Sequence, residues 1–195
     1  KITFENNYND WASLTLNAHD CHDYTEVKTT IKNCIFRNNS VAFRGSSHCY
    51  TKDSPFIILE NNMFENNFYD MSKMSGAAAI HFGSVRSRVL SCHFINNRPG
   101  LNPYTAVVNL FNNARVTFFN CYFENNQTTA RADQLFASGN KQVEFYGKNT
   151  FNLLALKGSQ TVFSRLPIIF NTKVIIKKNF KIICPQGYKV NSQRV

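Results

Sequence analysis

Beyond residue 70 this 195-residue chain has only three acidic side chains, Glu124, Asp133 and Glu144. Enzymes that cut polysaccharides need clustered carboxylates, paired as acid and base or holding Ca²⁺ against an acidic sugar. Three scattered carboxylates supply no such cluster. Asp20, Asp23 and Glu26 are close in sequence but lie towards one end of the chain. The expectation is a protein that is not an enzyme and carries no cofactor. No apolar run approaches the ~20 residues needed to cross a bilayer, so no transmembrane segment is expected. No stretch carries a helical period, which leaves an all-β chain. Lys1 is neither an initiator Met nor the start of a signal-peptide pattern. The chain opens on Lys1-Ile-Thr-Phe4, already inside a repeat, and reads as a piece of something longer.

What is present is repetition. Phe4-Glu-Asn-Asn7, Phe36-Arg-Asn-Asn39, Phe64-Glu-Asn-Asn67, Phe94-Ile-Asn-Asn97, Phe123-Glu-Asn-Asn126 and the degenerate Phe151-Asn152 follow one another at intervals of 32, 28, 30, 29 and 28 residues. A period near 30 means a stack of equivalent units. The position two before each Phe recurs too, as Cys34, Asn62, Cys92, Cys121 and Asn149. Alternation along Cys92-His-Phe-Ile-Asn96 puts Cys92, Phe94 and Asn96 on one side of a strand and His93 and Ile95 on the other. The recurring set is the inward one. The first Asn of each pair is therefore expected to face inward.

A second strand-like run precedes each motif, for example Phe56-Ile-Ile-Leu59, Ser87-Arg-Val-Leu90, Val116-Thr-Phe-Phe119 and Val143-Glu-Phe-Tyr146. A third follows it, as in Val41-Ala-Phe43, Ala77 to Phe82, Ala106 to Phe111 and Leu153 to Leu156. These runs are rich in β-branched and aromatic residues and are bounded by Asn, Gly, Ser and Pro. Three strands per repeat without a crossover helix point to a parallel β-helix of about six turns. Phe36, Phe64, Phe94 and Phe123 then form one inward column. Asn suits the corners, because it tolerates left-handed backbone angles and its amide can bond the amide one turn away. Arg37 and Glu65 fall at one outward position on consecutive turns and are expected to pair.

Of the six cysteines, Cys34, Cys92 and Cys121 lie in the inward column as free thiols that pack like small apolar groups. Cys21 and Cys49 sit in the irregular part of successive repeats and are the candidate disulfide. Cys184 lies outside the repeat and is expected to pair beyond this chain. His19-Asp-Cys-His-Asp23 is dense in metal-ligating types, but alternation lets only two or three converge, so no metal is expected.

Charge is uneven. Residues 1–70 hold 6 Lys and Arg against 9 Asp and Glu, and residues 71–195 hold 16 against 3. The basic portion invites a polyanion such as a sulfated or acidic glycan, or contact with a neighbouring acidic module. Lys173, Lys177, Lys178 and Lys181 are the candidate residues, although alternation cannot place them all on one face. Nucleic acid is not expected, since no reader motif is present. Asn38-Asn-Ser40 and Asn126-Gln-Thr128 are N-glycosylation sequons. Both are candidate glycosylation sites, and with the first Asn inward a glycan is expected at Asn126 more than at Asn38.

The pattern Cys-x-Phe-x-x-Asn, in Cys34-Ile-Phe-Arg-Asn-Asn39, Cys92-His-Phe-Ile-Asn-Asn97 and Cys121-Tyr-Phe-Glu-Asn-Asn126, resembles the repeat of the polymorphic outer-membrane-protein family over residues 1 to about 160. That family's second motif, Gly-Gly-Ala-[Ile/Leu/Val], survives once as Gly76-Ala-Ala-Ala-Ile80. The resemblance implies a right-handed parallel β-helix, secreted or surface-displayed and acting in adhesion. Cys184-Pro-Gln-Gly-Tyr188 looks like the opening of a cysteine-rich, EGF-like or ephrin-receptor-like repeat, as in large eukaryotic extracellular proteins. The expected organisation is a β-helix over 1–183 and the start of that module over 184–195. The expected function is a structural or adhesive rod in a secreted or cell-surface glycoprotein, with a carbohydrate-active lyase or hydrolase as the alternative.

Overall fold

The structure is a computed structural model and describes residues 1–8, 12–18, 28–47, 56–69, 77–100, 105–112, 114–126, 133–137, 142–146, 149–152, 168–170 and 175–177. Beyond Asn126 it describes strand pairing and the burial of Asn149. The chain winds through three parallel sheets. The first has seven three-residue strands, Thr3–Glu5, Ile35–Arg37, Met63–Glu65, His93–Ile95, Tyr122–Glu124, Thr150–Asn152 and Ile175–Lys177. The second stacks Leu14–Ala18, Phe43–Ser47, Ala77–Gly83, Ala106–Phe111 and Asp133–Ala137. The third stacks Lys28–Lys32, Phe56–Glu60, Arg86–Leu90, Arg115–Phe119, Gln142–Tyr146 and Ile168–Phe170.

The first strands are short because left-handed residues bracket them. Asn33, Asn61, Ser91 and Asn120 precede them with φ of 57, 52, 50 and 53°. Asn38, Asn66, Asn96 and Asn125 follow them with φ of 53, 52, 53 and 48°. Asn bears this conformation at less cost than most residues.

That corner corrects the expected facing of the Asn pair. The left-handed residue interrupts the two-residue alternation, so the first Asn turns outward and the second turns in. Asn96 is exposed and Asn97 is fully buried. The inward amides form a polarised ladder. Each Nδ2 donates to the Oδ1 one turn on: Asn7 to Asn39 at 2.9 Å, Asn39 to Asn67 at 3.1 Å, Asn67 to Asn97 at 3.0 Å and Asn97 to Asn126 at 2.9 Å. From Asn39 onward each also donates to the carbonyl of the preceding turn's Phe, at 2.9–3.0 Å.

Register is unshifted along the first sheet, with Phe4, Phe36, Phe64, Phe94, Phe123 and Phe151 paired in sequence. The rings from Phe4 to Phe123 stack at centroid separations of 4.7, 5.0, 5.1 and 4.5 Å, nearly parallel. Phe36, Phe64, Phe94 and Phe123 are at most 1% exposed. Around them pack Leu59, Val89 and Phe118 from the third sheet and Phe43, Ile80, Phe82, Val108 and Leu110 from the second.

In the mixed Cys and Asn column, Cys34 Sγ lies 3.4 Å from Lys32 O of its own turn, while the later members also reach a carbonyl of the preceding turn. Asn62 Nδ2 reaches Ile31 O at 2.9 Å, Cys92 Sγ reaches Leu59 O at 3.6 Å and Cys121 Sγ reaches Val89 O at 3.2 Å. Ile31, Leu59 and Val89 are themselves one column. Cys34, Cys92 and Cys121 are free and buried. Burial pushes the Cys121 thiol up to about 12 and raises that of Cys92 as well.

In the second sheet, Ala106 pairs with Ala77 but Val108 pairs with Ile80, so the Ala77–Ile80 segment holds one extra residue, a bulge. The small side chains of Ala77, Ala78 and Ala79 fit it at 0% exposure.

Candidate functional site

With the recurring residues turned inward, chemistry is left to the outward columns. On the third sheet the first outward column runs Lys28, Phe56, Arg86 and Arg115. The next runs Thr30, Ile58, Arg88 and Thr117, and the last Lys32, Glu60, Leu90 and Phe119. Arg86 and Arg115 are therefore direct neighbours across turns, and Arg88 follows Arg86 on the same side of its strand. Arg88 and Arg115 are exposed and Arg86 half-buried. The Arg88 guanidinium lies 5.3 Å from the Phe56 ring centroid, a cation–π contact that holds it over the face. Glu60 is engaged by Lys32 at 3.1 Å. Phe119, 41% exposed, ends the third column beside Leu90.

On the second sheet the outward column is Thr15, Arg44, His81 and Asn109. Here Asn109 is fully buried, and His81, half-buried, stacks on Phe111 at 5.4 Å. Burial, and then the Arg44 charge, push the His81 imidazole down to about 4. Well above pH 6.5 His81 is uncharged in both folded and unfolded chains. As pH falls below the ordinary value of 6.5 the unfolded chain takes the proton first, so stability is lost between about pH 6.5 and pH 4. The loss attributable to His81 is up to about 3 kcal/mol. Urea melts across this range should show a steeper decline for the wild type than for His81→Gln. Parallel declines would refute the burial of this imidazole.

On the first sheet, one outward column runs Thr3, Ile35, Met63, His93 and Tyr122, and the other Glu5, Arg37, Glu65, Ile95 and Glu124. Arg37 and Glu65 are in register as expected, but the expected pair does not form. Arg37 Nε turns to Glu5 Oε1 on its other neighbour, at 2.9 Å. Two acids flank this arginine, and one guanidinium fork grips one carboxylate at a time.

The sequons are also corrected. Asn126 is fully buried, donates to Phe94 O and accepts from Asn97, so its amide leaves no room for a sugar. Asn38, the left-handed corner residue, is half-buried and on the outward side. Cys21, Cys49, Cys184, the His19–Asp23 cluster, Lys173, Lys178, Lys181 and the 184–195 segment lie outside the described residues. Lys177 ends the strand Ile175–Lys177, paired with Thr150–Asn152. The arginines of the third sheet were not among the expected binding residues. Their signal was present: Arg86 and Arg115 stand one residue before the apolar runs beginning at Ser87 and Val116, at the same place in two repeats.

Three parallel sheets in one winding chain, with every core column continuous from turn to turn, define a parallel β-solenoid. Residues 1–151 match the family described as right handed beta helix region, and the chain belongs to that family. No curated protein and no solved structure matches it.

Proposed function

We propose that the chain is a non-enzymatic, adhesive rod segment of a secreted or cell-surface glycoprotein. One observation carries the reading. The residues that recur through the sequence are consumed by the stacked Phe, Asn and Cys columns, and what varies from turn to turn is displayed outward. A solenoid built this way is stiff along its axis and presents long side-chain columns as binding surfaces. The basic excess after residue 70 gives those surfaces a preference for acidic partners, either an anionic glycan or a neighbouring module.

The test is expression through the secretory pathway of a eukaryotic host, followed by peptide mass spectrometry and assays on acidic polysaccharides. The expected product is folded, carries its glycan at Asn38 and not at Asn126, and releases no new sugar ends. Catalytic depolymerisation of any of these polysaccharides would overturn the reading in favour of a carbohydrate-active enzyme. A folded product with occupied Asn126 would overturn the placement of that amide in the core.

A further inference from the structure

We propose that Arg86, Arg88 and Arg115 form a binding site for a sulfated polysaccharide lying across the outward face of the third sheet. The proposal rests on the reading of the chain as a binding rod and names the ligand class and residues of one of its faces.

Three features converge. The first is fixed spacing. Arg86 and Arg115 are register partners, so their backbones are held ~4.8 Å apart, and Arg88 starts two residues, ~6.6 Å, along the strand from Arg86. A rigid sheet thus carries arginines at three fixed backbone positions, Arg88 and Arg115 exposed and Arg86 half-buried, without ordering any loop on binding. The second is orientation. Arg88 is held over Phe56, and the column of Phe56 and Arg86 continues to Lys28. Planar guanidinium forks engage the oxygens of an anionic ester in pairs and shed water more readily than ammonium groups. The third is mixed character. Beside the arginines lie Leu90, half-buried, and Phe119, exposed. A sulfated sugar chain has this dual nature, with ester anions on its edges and apolar C–H faces on its rings, and aromatic side chains with an apolar body suit the latter.

Among the described side chains of this face, Glu60 is held by Lys32 at 3.1 Å. Nucleic acid fits less well. The face is a flat sheet with no helix or ribbon to enter a groove, and single-strand binders stack successive bases on several rings. Phe119 is the one exposed aromatic among the described residues of this face.

The experiment is heparin-column elution and titration against heparin at several salt concentrations. It compares the wild type, the triple variant Arg86→Gln/Arg88→Gln/Arg115→Gln, its conservative counterpart with Lys at the three positions, and Lys173→Gln/Lys177→Gln/Lys178→Gln. The wild type should elute well above physiological salt. The Gln variant should elute earlier, and its slope of log affinity against log salt should be shallower by about one for each arginine removed. The Lys counterpart should retain the slope but bind more weakly, and this keeps the result independent of any folding loss in the Gln variant. The tail lysine variant should elute with the wild type. Equal elution of wild type and Gln variant overturns the site, and so does a loss confined to the tail variant. DNA binding that equals heparin binding at matched salt, with the same arginine dependence, overturns the sulfated-glycan assignment. Polysaccharide cleavage, by contrast, would fail the rod reading while leaving the arginine dependence of binding measurable.

Discussion

Phe94→Ala should destabilise the fold by about 3–5 kcal/mol, the usual cost of deleting a buried aromatic ring. Phe94 stacks on Phe64 at 5.1 Å and on Phe123 at 4.5 Å, and it is fully buried. Removing the ring opens a void that both neighbours face. Neither can close it, because their backbones are tied in register by the sheet. The position is also the worst place for a defect. Solenoid stability is close to a sum over turns and turn-to-turn interfaces, and a central turn contributes two interfaces. Urea denaturation followed by far-UV circular dichroism should therefore show a lowered midpoint or a split transition. Phe119→Ala is the control on the outward side and should change stability by no more than about 0.5 kcal/mol. Equal effects at the two positions would refute the facing of the strands.

Asn97→Leu should be nearly as damaging, about 2–5 kcal/mol, although it replaces a polar core residue with an apolar one of similar size. Asn97 Oδ1 accepts from the Asn67 backbone N–H at 3.0 Å and from Asn67 Nδ2 at 3.0 Å. Its Nδ2 donates to Phe64 O at 2.9 Å and to Asn126 Oδ1 at 2.9 Å. Leucine leaves the Asn67 N–H and the Phe64 carbonyl without these partners in a dry interior. Each orphaned group costs about 1–3 kcal/mol. The adjacent residue should behave in the opposite way. Asn96→Gly relieves a left-handed backbone at an exposed corner and should be close to neutral. The pair of melts distinguishes the two asparagines directly. A costly Asn96→Gly beside a tolerated Asn97→Leu would mean that the inward amide is the first of the pair.

That distinction marks where sequence reasoning reached its limit. The spacing of the Phe-x-Asn-Asn motifs was enough for a stacked β architecture, for the Phe column and for thiols that pack as free groups, because in-register stacking repeats the same side chain at every turn. Strict alternation then failed at one residue. A single left-handed corner reverses facing, and a two-residue period cannot register it. The same slip carried over to the sequons, so Asn126 was expected outside when it is a buried member of the ladder. The Arg37–Glu65 pairing failed for a different reason. Register makes two turns neighbours, but a long side chain has a neighbour on each side, and Arg37 found Glu5.

The candidate site was legible only in part. The excess of Lys and Arg after residue 70 was evident from composition, but charge counts do not say which positions share a face. Arg86, Arg88 and Arg115 are separated by up to 29 residues in sequence and become a cluster only when the third sheet pairs Arg86 with Arg115. His81 shows the same dependence. As one residue of a β-rich run it is unremarked, and it becomes a neutral, half-buried imidazole only because Arg44 and Phe111 meet it across the turns. The repeat by itself determined the fold and its core, since identical residues at a fixed period can satisfy one another only by stacking. Tertiary structure alone decided which asparagine is buried, which acid each base meets and which arginines stand together, since those depend on corner dihedrals and on contacts between turns far apart in the chain.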